Sequence, residues 1–240
     1  SLTCVVVLAA TDAANTATAH TITVTITDTN DQAPAWTTAA TANVAEGATA
    51  VATMAATDSD TADSGGLTYS ITTNDPSGTV FAVSGTALTM TAQDYETPAC
   101  GSGGDSLTCV VVLAATDAAN TATAHTITVT ITDTNDQAPA WTTAATANVA
   151  EGATAVATMA ATDSDTADSG GLTYSITTDD PAAGTQFSVS GTALTIAAQD
   201  YESPGCGSGA DSLTCVVVLA ATDAASTATA HTITVTITDT

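Results

Sequence analysis

The stretch SLTCVVVLAATDAANTATAHTITVTITDT begins at Ser1 and occurs three times in the chain. It returns unchanged at Ser106, and again at Ser212 with one substitution, because Ser226 stands where the earlier copies have asparagine. The period of about 105 residues is too long for a solenoid unit and is typical of an independent domain. The repetition therefore predicts a tandem array of similar domains.

The same stretch predicts β-strands. From His20 to Ile26 apolar residues alternate with threonines, which places an apolar face and a threonine face on one strand. The continuous apolar run from Cys4 to Ala10 is typical of a strand at the centre of a sheet. Alternating segments recur at 67–73 and 86–92, and no segment carries a convincing helical period.

Two weaker, alanine-rich strands are predicted within 36–46 and 49–57. Each repeat then holds about seven short strands separated by turn residues, as two-sheet sandwiches do. The composition agrees, because the abundant threonine, valine and isoleucine favour strands. The sequence therefore predicts an all-β chain of tandem Greek-key β-sandwich repeats.

The linker between repeats is expected in the proline-containing segment DTNDQAP, at 28–34 and again at 133–139. Residues 1–29 are then the C-terminal strands of a truncated repeat, 30–134 form a complete repeat, and 135–240 form a second one. A start in mid-domain is expected of a window on a longer array. The alternative is that the first segment completes the sandwich of a neighbouring molecule as a donated strand pair.

The chain is strongly acidic and has no basic Lys or Arg side chains. It has 25 acidic residues and no lysine or arginine, which gives a formal net charge of −25. Binding to nucleic acid or to an anionic membrane surface is therefore excluded, because both require a basic surface. No apolar run approaches the ~20 residues of a membrane-spanning helix. Where several carboxylates converge, they must be neutralised by protons or by a bound cation.

Most of the acidic residues fall into short motifs that follow the same order in each repeat. The motifs are VAEG, TDSD, QDYE, AATD and DTNDQAP. Their acidic members are Glu46, Asp58, Asp60, Asp94, Glu96, Asp117, Asp133 and Asp136, then Glu151, Asp163, Asp165, Asp200, Glu202, Asp223 and Asp239, with Asp12, Asp28 and Asp31 in the first segment. Any one of these motifs is a weak signal, but their common order, repeated with the domain period, is a strong one.

This order resembles the calcium-site pattern of cadherin repeats, and the resemblance covers essentially the whole chain. It implies an immunoglobulin-like sandwich with calcium at each joint between repeats. The resemblance implies that one joint uses Glu46, Asp94, Glu96, Asn135, Asp136, Asp163, Asp165 and Asp223, with Asp133 as a further member. The preceding joint would keep Asn30, Asp31, Asp58, Asp60 and Asp117, and the following one Glu151, Asp200 and Glu202.

The chemistry of these side chains favours Ca²⁺ independently of the resemblance. Calcium takes six to eight oxygen ligands, from carboxylates, amides and backbone carbonyls, whereas magnesium retains its waters and prefers few carboxylates. Zinc prefers cysteine and histidine. The alternative is that these Asp and Asn residues only form turns. A glycosidase pair of carboxylates is disfavoured, because the motifs recur at every joint and no aromatic sugar platform accompanies them.

The five cysteines predict local disulfides Cys100–Cys109 and Cys206–Cys215, since each pair flanks a short glycine-rich loop. Cys4 matches Cys109 and Cys215 in the repeat, so its partner is expected upstream of Ser1. Disulfides indicate an oxidising compartment. Buried free thiols are the alternative.

Trp36 and Trp141 follow the linker proline in each repeat, and they are interpreted as core residues rather than as adhesive tryptophans of the kind that some cadherins exchange. His20, His125 and His231 are one position repeated at the start of a strand. They are interpreted as ordinary strand-end residues rather than as metal ligands or a pH switch.

Together these features predict a non-enzymatic, extracellular protein that binds Ca²⁺ and is structural or adhesive. Its repeats would form a calcium-rigidified rod or filament, with neighbouring repeats or identical chains as partners. The alternatives are a calcium-dependent homophilic or carbohydrate-binding module, and the stalk of a larger surface enzyme.

Overall fold

The structure is a computed structural model of the chain. It describes residues 2–15, 18–60, 66–74, 80–100, 107–120, 122, 124–165, 171–179, 185–206, 213–225, 228 and 230–240. The chain divides into two compact units, unit 1 at Ser1–Thr132 and unit 2 at Asp133–Thr240. Among the described residues, no helix is long and apolar enough to cross a membrane.

Unit 1 is built only of strands in its described part. They are β1 Leu2–Leu8, β2 His20–Ile26, β3 Ala35–Trp36, β4 Thr41–Ala45, β5 Ala50–Thr53, β6 Ala56–Thr57, β7 Thr68–Asn74, β8 Phe81–Ser84, β9 Ala87–Met90, β10 Thr108–Thr116 and β11 His125–Thr132. Strands β1 and β2 pair only with each other, as an N-terminal hairpin. The remaining strands form a four-stranded sheet in the order β4-β11-β10-β7, a three-stranded sheet β5-β9-β8 and the pair β3-β6.

Unit 2 repeats this architecture. Its strands are β12 Ala140–Trp141, β13 Thr146–Ala150, β14 Ala155–Thr158, β15 Ala161–Thr162, β16 Thr173–Thr178, β17 Phe187–Ser190, β18 Ala193–Ile196, β19 Thr214–Thr222 and β20 His231–Thr238. The sheets follow the orders β13-β20-β19-β16 and β14-β18-β17, with the pair β12-β15. In the larger sheet, β13 is parallel to its neighbour β20, while the pairs β20–β19 and β19–β16 are antiparallel.

The core of each unit lies between the two sheets. In unit 1, Val111 and Leu113 on β10 and Ile127 on β11 are fully buried against Phe81 and Leu88 of the smaller sheet. The alternating threonines of β11 point away from this core, as the period of two predicts. The prediction of an all-β Greek-key sandwich is therefore confirmed.

The predicted strands need one refinement. Each alanine-rich strand is divided into two shorter ones, since β3 and β4 occupy the first predicted segment and β5 and β6 the second. The register between β5 and β9 shifts between Ala50 and Ala52. Such an irregularity bends a strand. The next segment, β6, pairs with β3.

Trp36 and Trp141 pack against the cores of their units, as predicted. Each indole stacks on the histidine that begins the last strand of its unit, with ring centroids 4.9 Å apart for Trp36–His125 and for Trp141–His231. Each indole also meets a tyrosine of the large sheet, at 5.6 Å for Trp36–Tyr69. The tryptophan thus closes one end of the sandwich core.

The predicted disulfides Cys100–Cys109 and Cys206–Cys215 are both present, with Cα atoms 5.3 Å and 5.4 Å apart. Each links the loop after the smaller sheet to the central strand of the larger one. Cys4 is an exposed free thiol. The four bonded cysteines are buried among apolar core residues, so the disulfides are part of the packing between the sheets.

Candidate metal centre

One acidic cluster in unit 1 forms where the VAEG and QDYE motifs meet. Oxygen atoms of Glu46, Asp94 and Glu96 all lie within 4.8 Å of one another. Glu46 follows β4, and its backbone N–H donates to the carbonyl of Thr132 at the end of the parallel neighbour β11. A carboxylate oxygen of Glu46 accepts a hydrogen bond from the N–H of Tyr95 at 2.8 Å, which holds the two motifs together.

The glycine of the VAEG motif makes this position possible. Gly47 has φ +72°, in the left-handed region that side chains rarely adopt, and its N–H donates to the carbonyl of Gln93 at 2.8 Å. The chain therefore reverses directly after Glu46 and brings the QDYE segment beside it. Gly152 repeats this turn in unit 2, with φ +73° and an N–H bond to Gln199.

The same cluster recurs in unit 2. Oxygen atoms of Glu151, Asp200 and Glu202 lie within 4.8 Å of one another. Glu151 accepts hydrogen bonds from the N–H of Tyr201 at 3.3 Å and from the hydroxyl of Thr240 at 2.8 Å. We refer to these two equivalent sites as the glutamate clusters.

Hydrogen bonds hold the aspartate of each D-x-E motif in an Asx-type turn. Asp94 accepts from the N–H groups of Glu96 and Thr97 and from the Thr97 hydroxyl, at 3.0, 3.2 and 2.9 Å. The Thr97 hydroxyl is the main reason why the pKa of Asp94 is lowered. Asp200 repeats the bond to the N–H of Glu202 at 3.0 Å. The lowered pKa favours the charged form of Asp94.

Repulsion within the glutamate cluster of unit 2 is seen at Glu202. A backbone hydrogen bond acts to lower its pKa, but the hydrogen bond with Asp200, burial, and the charges of Glu151 and Asp200 together raise it. The cluster thus holds more negative charge than its hydrogen bonds neutralise.

A second acidic cluster in unit 2 forms where the TDSD and AATD motifs meet beside the linker segment. Oxygen atoms of Asp163, Asp165 and Asp223 lie within 4.8 Å of one another, and we call this the linker-side cluster. Asp165 is 0% exposed. One of its carboxylate oxygens accepts from the N–H of Gln137 at 2.9 Å, which joins the TDSD motif to the linker.

The charge of Asp165 is not balanced within the chain. Burial raises the pKa of Asp165, and the neighbouring charges of Asp163, Asp133 and Asp136 raise it further, against one lowering hydrogen bond from Gln137. The sequence has no lysine or arginine that could supply a counter-charge. An ionised Asp165 therefore requires a cation from outside the chain.

Buried oxygen atoms of this cluster lack hydrogen-bond partners in the described part of the chain. Asp163 and Asp165 each keep one such oxygen, and Asp58 keeps the equivalent one in unit 1. Buried polar atoms are nearly always satisfied, so an orphaned carboxylate oxygen is a candidate ligand atom for an ion.

The corresponding residues of unit 1 are arranged differently. Asp60 is buried and accepts from the N–H groups of Asp31 and Gln32 at 2.9 and 2.8 Å, while Asp58 accepts from the N–H of Asp60 at 2.8 Å. The oxygens of Asp58, Asp60 and Asp117 are not among the described groups that all meet within 4.8 Å. The structure thus brings the linker to the TDSD motif in both units, but it closes the three-carboxylate cluster only in unit 2.

Asn120 contacts the linker and Asp117 in unit 1, and the sequence analysis missed it. Its side-chain amide donates to the side-chain oxygen of Asn30 at 2.7 Å and to Asp117 at 3.4 Å. Desolvation acts to raise the pKa of Asp117, but the backbone hydrogen bonds of Asn120 and Ala119 and further amide contacts lower it overall. The equivalent residue of the last repeat is Ser226, which lies outside the described residues.

Gln93 and Gln199 were also missed. Both are buried, and their side chains brace the loop between the QDYE motif and the disulfide cysteine. Gln93 accepts from the N–H of Ala99 at 3.0 Å, and Gln199 accepts from the N–H of Gly205 at 2.7 Å. The signal in the sequence was the glutamine that precedes the acidic pair in both repeats.

The remaining predicted ligands lie in the linker segment at the start of unit 2. Asp133 and Asn135 are half-buried and Asp136 is exposed. The side-chain amide of Gln137 donates to Asp136 at 2.7 Å. The linker therefore lies next to the linker-side cluster, because Gln137 also contacts Asp165.

The two clusters of unit 2 lie at opposite ends of the sandwich. Asp223 directly follows the C-terminal end of β19. The N–H of Glu151 donates to the carbonyl of Thr238 on β20. Thr238 lies near the N-terminal end of β19, because Thr236 pairs with Thr214, the first residue of β19. A nine-residue strand spans ~25–30 Å at ~3.3 Å per residue. One repeat thus carries acidic groups at both of its ends.

Comparison with solved structures identifies the fold. The chain is similar to mouse clustered PcdhgC3 EC1-3, with a TM-score of 0.71 and 24% identity over 99% of this chain and 77% of that one. It is similar to human Protocadherin-24 EC1-2, with a TM-score of 0.66 and 19% identity over 87% of this chain and 99% of that one. For the Protocadherin GammaB4 extracellular domain the TM-score is 0.61 and the identity 21%, over 92% of this chain but only 37% of that one.

These similarities show the cadherin fold, as the order of the acidic motifs implied. No protein-family model matches the sequence, and a search of curated proteins finds no significant match.

Proposed function

We propose that this chain is a section of an extracellular structural or adhesive protein, in which Ca²⁺ binds at the joints between cadherin-like repeats and stiffens them. The observation that carries the proposal is the pair of carboxylate clusters at the two ends of unit 2, in a chain without lysine or arginine. An uncompensated cluster of this kind is unfavourable, so it requires a bound cation or protons.

The donor atoms fit calcium. All are oxygens from carboxylates and amides, which calcium prefers, and no histidine or cysteine belongs to any of the described clusters. Asp163 and Asp165 each offer a buried oxygen that has no hydrogen-bond partner among the described residues. Three side chains fall short of the six to eight ligands that calcium takes, so each cluster needs oxygens from elsewhere.

We infer the missing ligands from the resemblance to cadherin repeats. The glutamate cluster of one repeat would be completed by the linker and the linker-side cluster of the next. The proposed joint consists of Glu46, Asp94, Glu96, Asp133, Asn135, Asp136, Asp163, Asp165 and Asp223. The half-joints are Asn30, Asp31, Asp58, Asp60 and Asp117 before it, and Glu151, Asp200 and Glu202 after it.

The protein's own contribution is to hold these carboxylates in place before any ion binds. The N–H groups of Tyr95 and Tyr201 orient the glutamates, and the N–H of Gln137 orients Asp165. When bound, calcium would supply the positive charge that the chain lacks. A linker of a few residues would then be held by ligands on both sides instead of turning freely.

The proposed partners are neighbouring repeats and identical chains. The repeats are nearly identical in sequence, which favours a uniform array over recognition of one distinctive ligand. A solved structure of Protocadherin gammaB7 EC3-6 to which this chain is similar is described as a cis-dimer. Such an array would serve as a shaft, stalk or fibre outside the cell, and the disulfides suit that oxidising environment.

Calcium titration of the 240-residue chain tests this proposal. Calorimetry should detect bound Ca²⁺, and the maximum dimension from small-angle scattering should be long and sharply defined in calcium and less defined in chelator. The variant Asp163→Asn with Asp223→Asn should lose most of the response, whereas Asp105→Asn with Asp211→Asn, at positions outside the acidic motifs, should retain it. A scattering profile that does not respond to chelator would exclude calcium-stiffened joints, even if calcium binds.

A further inference from the structure

The side chain of Asn120 joins two segments of unit 1 that lie 90 residues apart in sequence. Its amide nitrogen lies 2.7 Å from the side-chain oxygen of Asn30, in the linker, and 3.4 Å from a carboxylate oxygen of Asp117. An ionised carboxylate only accepts hydrogen bonds, so the group that faces Asp117 must be the NH₂ of the amide. One side chain thus donates both to the linker and to the repeat that follows it.

The turn after β10 holds the backbone of Asn120 in position. The N–H groups of Ala119 and Asn120 both donate to the carboxylate of Asp117, the first of them at 2.6 Å. The N–H of Asp117 in return donates to the carbonyl of Asn120 at 3.1 Å. This closed turn fixes the Asn120 backbone beside the linker.

The linker is fastened to unit 1 at a second point close by. The N–H groups of Asp31 and Gln32 donate to the buried carboxylate of Asp60 at 2.9 and 2.8 Å. Asn30 precedes these residues and supplies the side-chain oxygen that the Asn120 amide meets. The linker of unit 1 is therefore held by one acidic and one neutral side chain, and the neutral one needs no cation to balance it.

The two acceptors of this amide are among the residues that the cadherin resemblance assigns to calcium. An ion held by Asn30 and Asp117 would connect the same two segments that the amide of Asn120 connects. The amide hydrogens carry partial positive charge, so they repel a cation that approaches the same oxygens. The amide and the ion are therefore alternatives, and the hydrogen bonds must be released before an ion uses these oxygens.

The chain contains a second version of this position. The third copy of the repeated stretch differs from the second copy at one residue, where Ser226 stands in place of Asn120. The contact partners of Asn120 have unchanged equivalents, Asn135 and Asp223. A serine side chain is shorter than asparagine and offers one hydroxyl donor instead of two amide N–H donors. The single change in the repeated stretch thus removes the amide and keeps its acceptors.

We propose that Asn120 is an amide latch that fastens the linker to unit 1 without a cation, and that the residue at this position sets how strongly a joint depends on calcium. A joint with asparagine keeps its linker attached in the absence of calcium and binds the ion more weakly. A joint with serine depends on the ion and binds it more tightly. The calcium part of this inference rests on the proposed function, whereas the attachment of the linker by the amide does not.

Amide hydrogen exchange of the 240-residue chain in chelator, measured by NMR, tests the latch. The N–H groups of Asp31 and Gln32 report on the linker of unit 1, and the N–H of Gln137 reports on that of unit 2, since all three donate to buried aspartates. Asn120→Ser should speed exchange at Asp31 and Gln32 about three- to tenfold, the effect expected of one or two hydrogen bonds. Ser226→Asn should slow exchange at Gln137 by a similar factor.

A calcium titration of Ser226→Asn tests the competition between amide and ion. This variant should raise the calcium concentration needed to protect Gln137 from exchange, again about three- to tenfold. An added bond that only stabilised the unit would strengthen calcium binding or leave it unchanged. Weaker binding therefore distinguishes competition for the oxygens from structural support.

Two controls isolate the amide. Ser226→Leu introduces a side chain of similar size to asparagine that has no hydrogen-bond donor, and it should leave the exchange of Gln137 in chelator unchanged. Asn15→Ser makes the same change as Asn120→Ser at the equivalent position of the first segment, and it should leave exchange in both linkers unchanged.

Unchanged exchange in chelator for both Asn120→Ser and Ser226→Asn would overturn the latch, and so would an equal effect of Ser226→Leu. Calcium binding that Ser226→Asn strengthens or leaves unchanged would overturn the competition while the proposed function stands. If the wild-type chain binds no calcium, the proposed function fails together with the competition, and the comparison in chelator alone decides the latch.

Discussion

Asp165 shows how one buried side chain depends on the charges around it. It is fully buried, keeps one oxygen without a hydrogen-bond partner among the described residues, and has Asp163, Asp133 and Asp136 near enough to raise its pKa. Folding without a cation therefore favours its protonated form. The same carboxylate becomes favourable when a cation neutralises it.

The sign of the resulting pH dependence follows from the raised pKa. The contribution of Asp165 to stability is fully present below its unfolded pKa, about 4, and is lost as pH rises through its higher folded pKa. In chelator at neutral pH, Asp165→Asn should therefore raise the midpoint of thermal unfolding by a few degrees, and the gain should vanish below pH ~4.

In calcium the same substitution should have the opposite effect. It should remove much of the calcium stabilisation, which is about 3 kcal/mol when the ion is at 100 times its dissociation constant. Thermal melts of wild type, Asp165→Asn and the control Asp211→Asn, at a position outside the acidic motifs, over a pH series with calcium or chelator, check both signs. A destabilising effect in chelator would show that Asp165 is not strained by its neighbours.

Gly47 permits a separate residue-scale prediction. A Cβ atom at this position would meet no atom within 4 Å, so a substitution acts only through the left-handed backbone. Gly47→Ala should lower the free energy of unfolding by about 1–2 kcal/mol, as measured by urea denaturation in calcium. Gly66→Ala, also in open space and without a positive φ, should be neutral or slightly stabilising. Equal losses of unfolding free energy in both variants would contradict the interpretation that the left-handed backbone at position 47 requires glycine.

At the scale of elements, strands β1 and β10 share a sequence segment but have different surroundings. Both contain the segment from the cysteine to the leucine, yet only β10 lies between two other strands and below a second sheet. Leu113→Ala should cost about 2–5 kcal/mol of unfolding free energy, because it leaves a cavity in the core. Leu8→Ala, the same change in β1, should cost less than ~0.5 kcal/mol, since Leu8 is exposed. Chemical denaturation of both variants measures the difference, and similar losses would mean that the N-terminal hairpin is packed in solution.

The strands with a strong period of two could be predicted from the sequence, because alternation of threonine with valine or isoleucine specifies one buried face. The alanine-rich segments could not be divided correctly, since the break between β5 and β6 depends on pairing with two different strands. The acidic motifs could be predicted because their order repeats. The role of Asn120 could not, because its contact with Asn30 joins residues distant in sequence.

At the scale of the whole molecule, a net charge of −25 opposes folding wherever no cation is bound. Added sodium chloride screens such repulsion over the Debye length, about 10 Å at 0.1 M. In chelator, the midpoint of thermal unfolding of the two units should therefore rise by several degrees between low and high salt. Calcium should reduce this salt dependence, because it already neutralises the densest acidic clusters. Differential scanning calorimetry measures the effect. A salt dependence that is the same with and without calcium would indicate that the clusters do not bind the ion.

The stacking of each tryptophan on its histidine has an optical consequence. The chain has only two tryptophans, and their surroundings in the two units are nearly superimposable, so their emission spectra should coincide. Trp36→Phe leaves Trp141 as an intrinsic fluorophore that reports on one repeat alone, and Trp141→Phe does the reverse. The fluorescence of such a pair would reveal whether two nearly identical repeats melt together or one after the other, without any label attached to the protein.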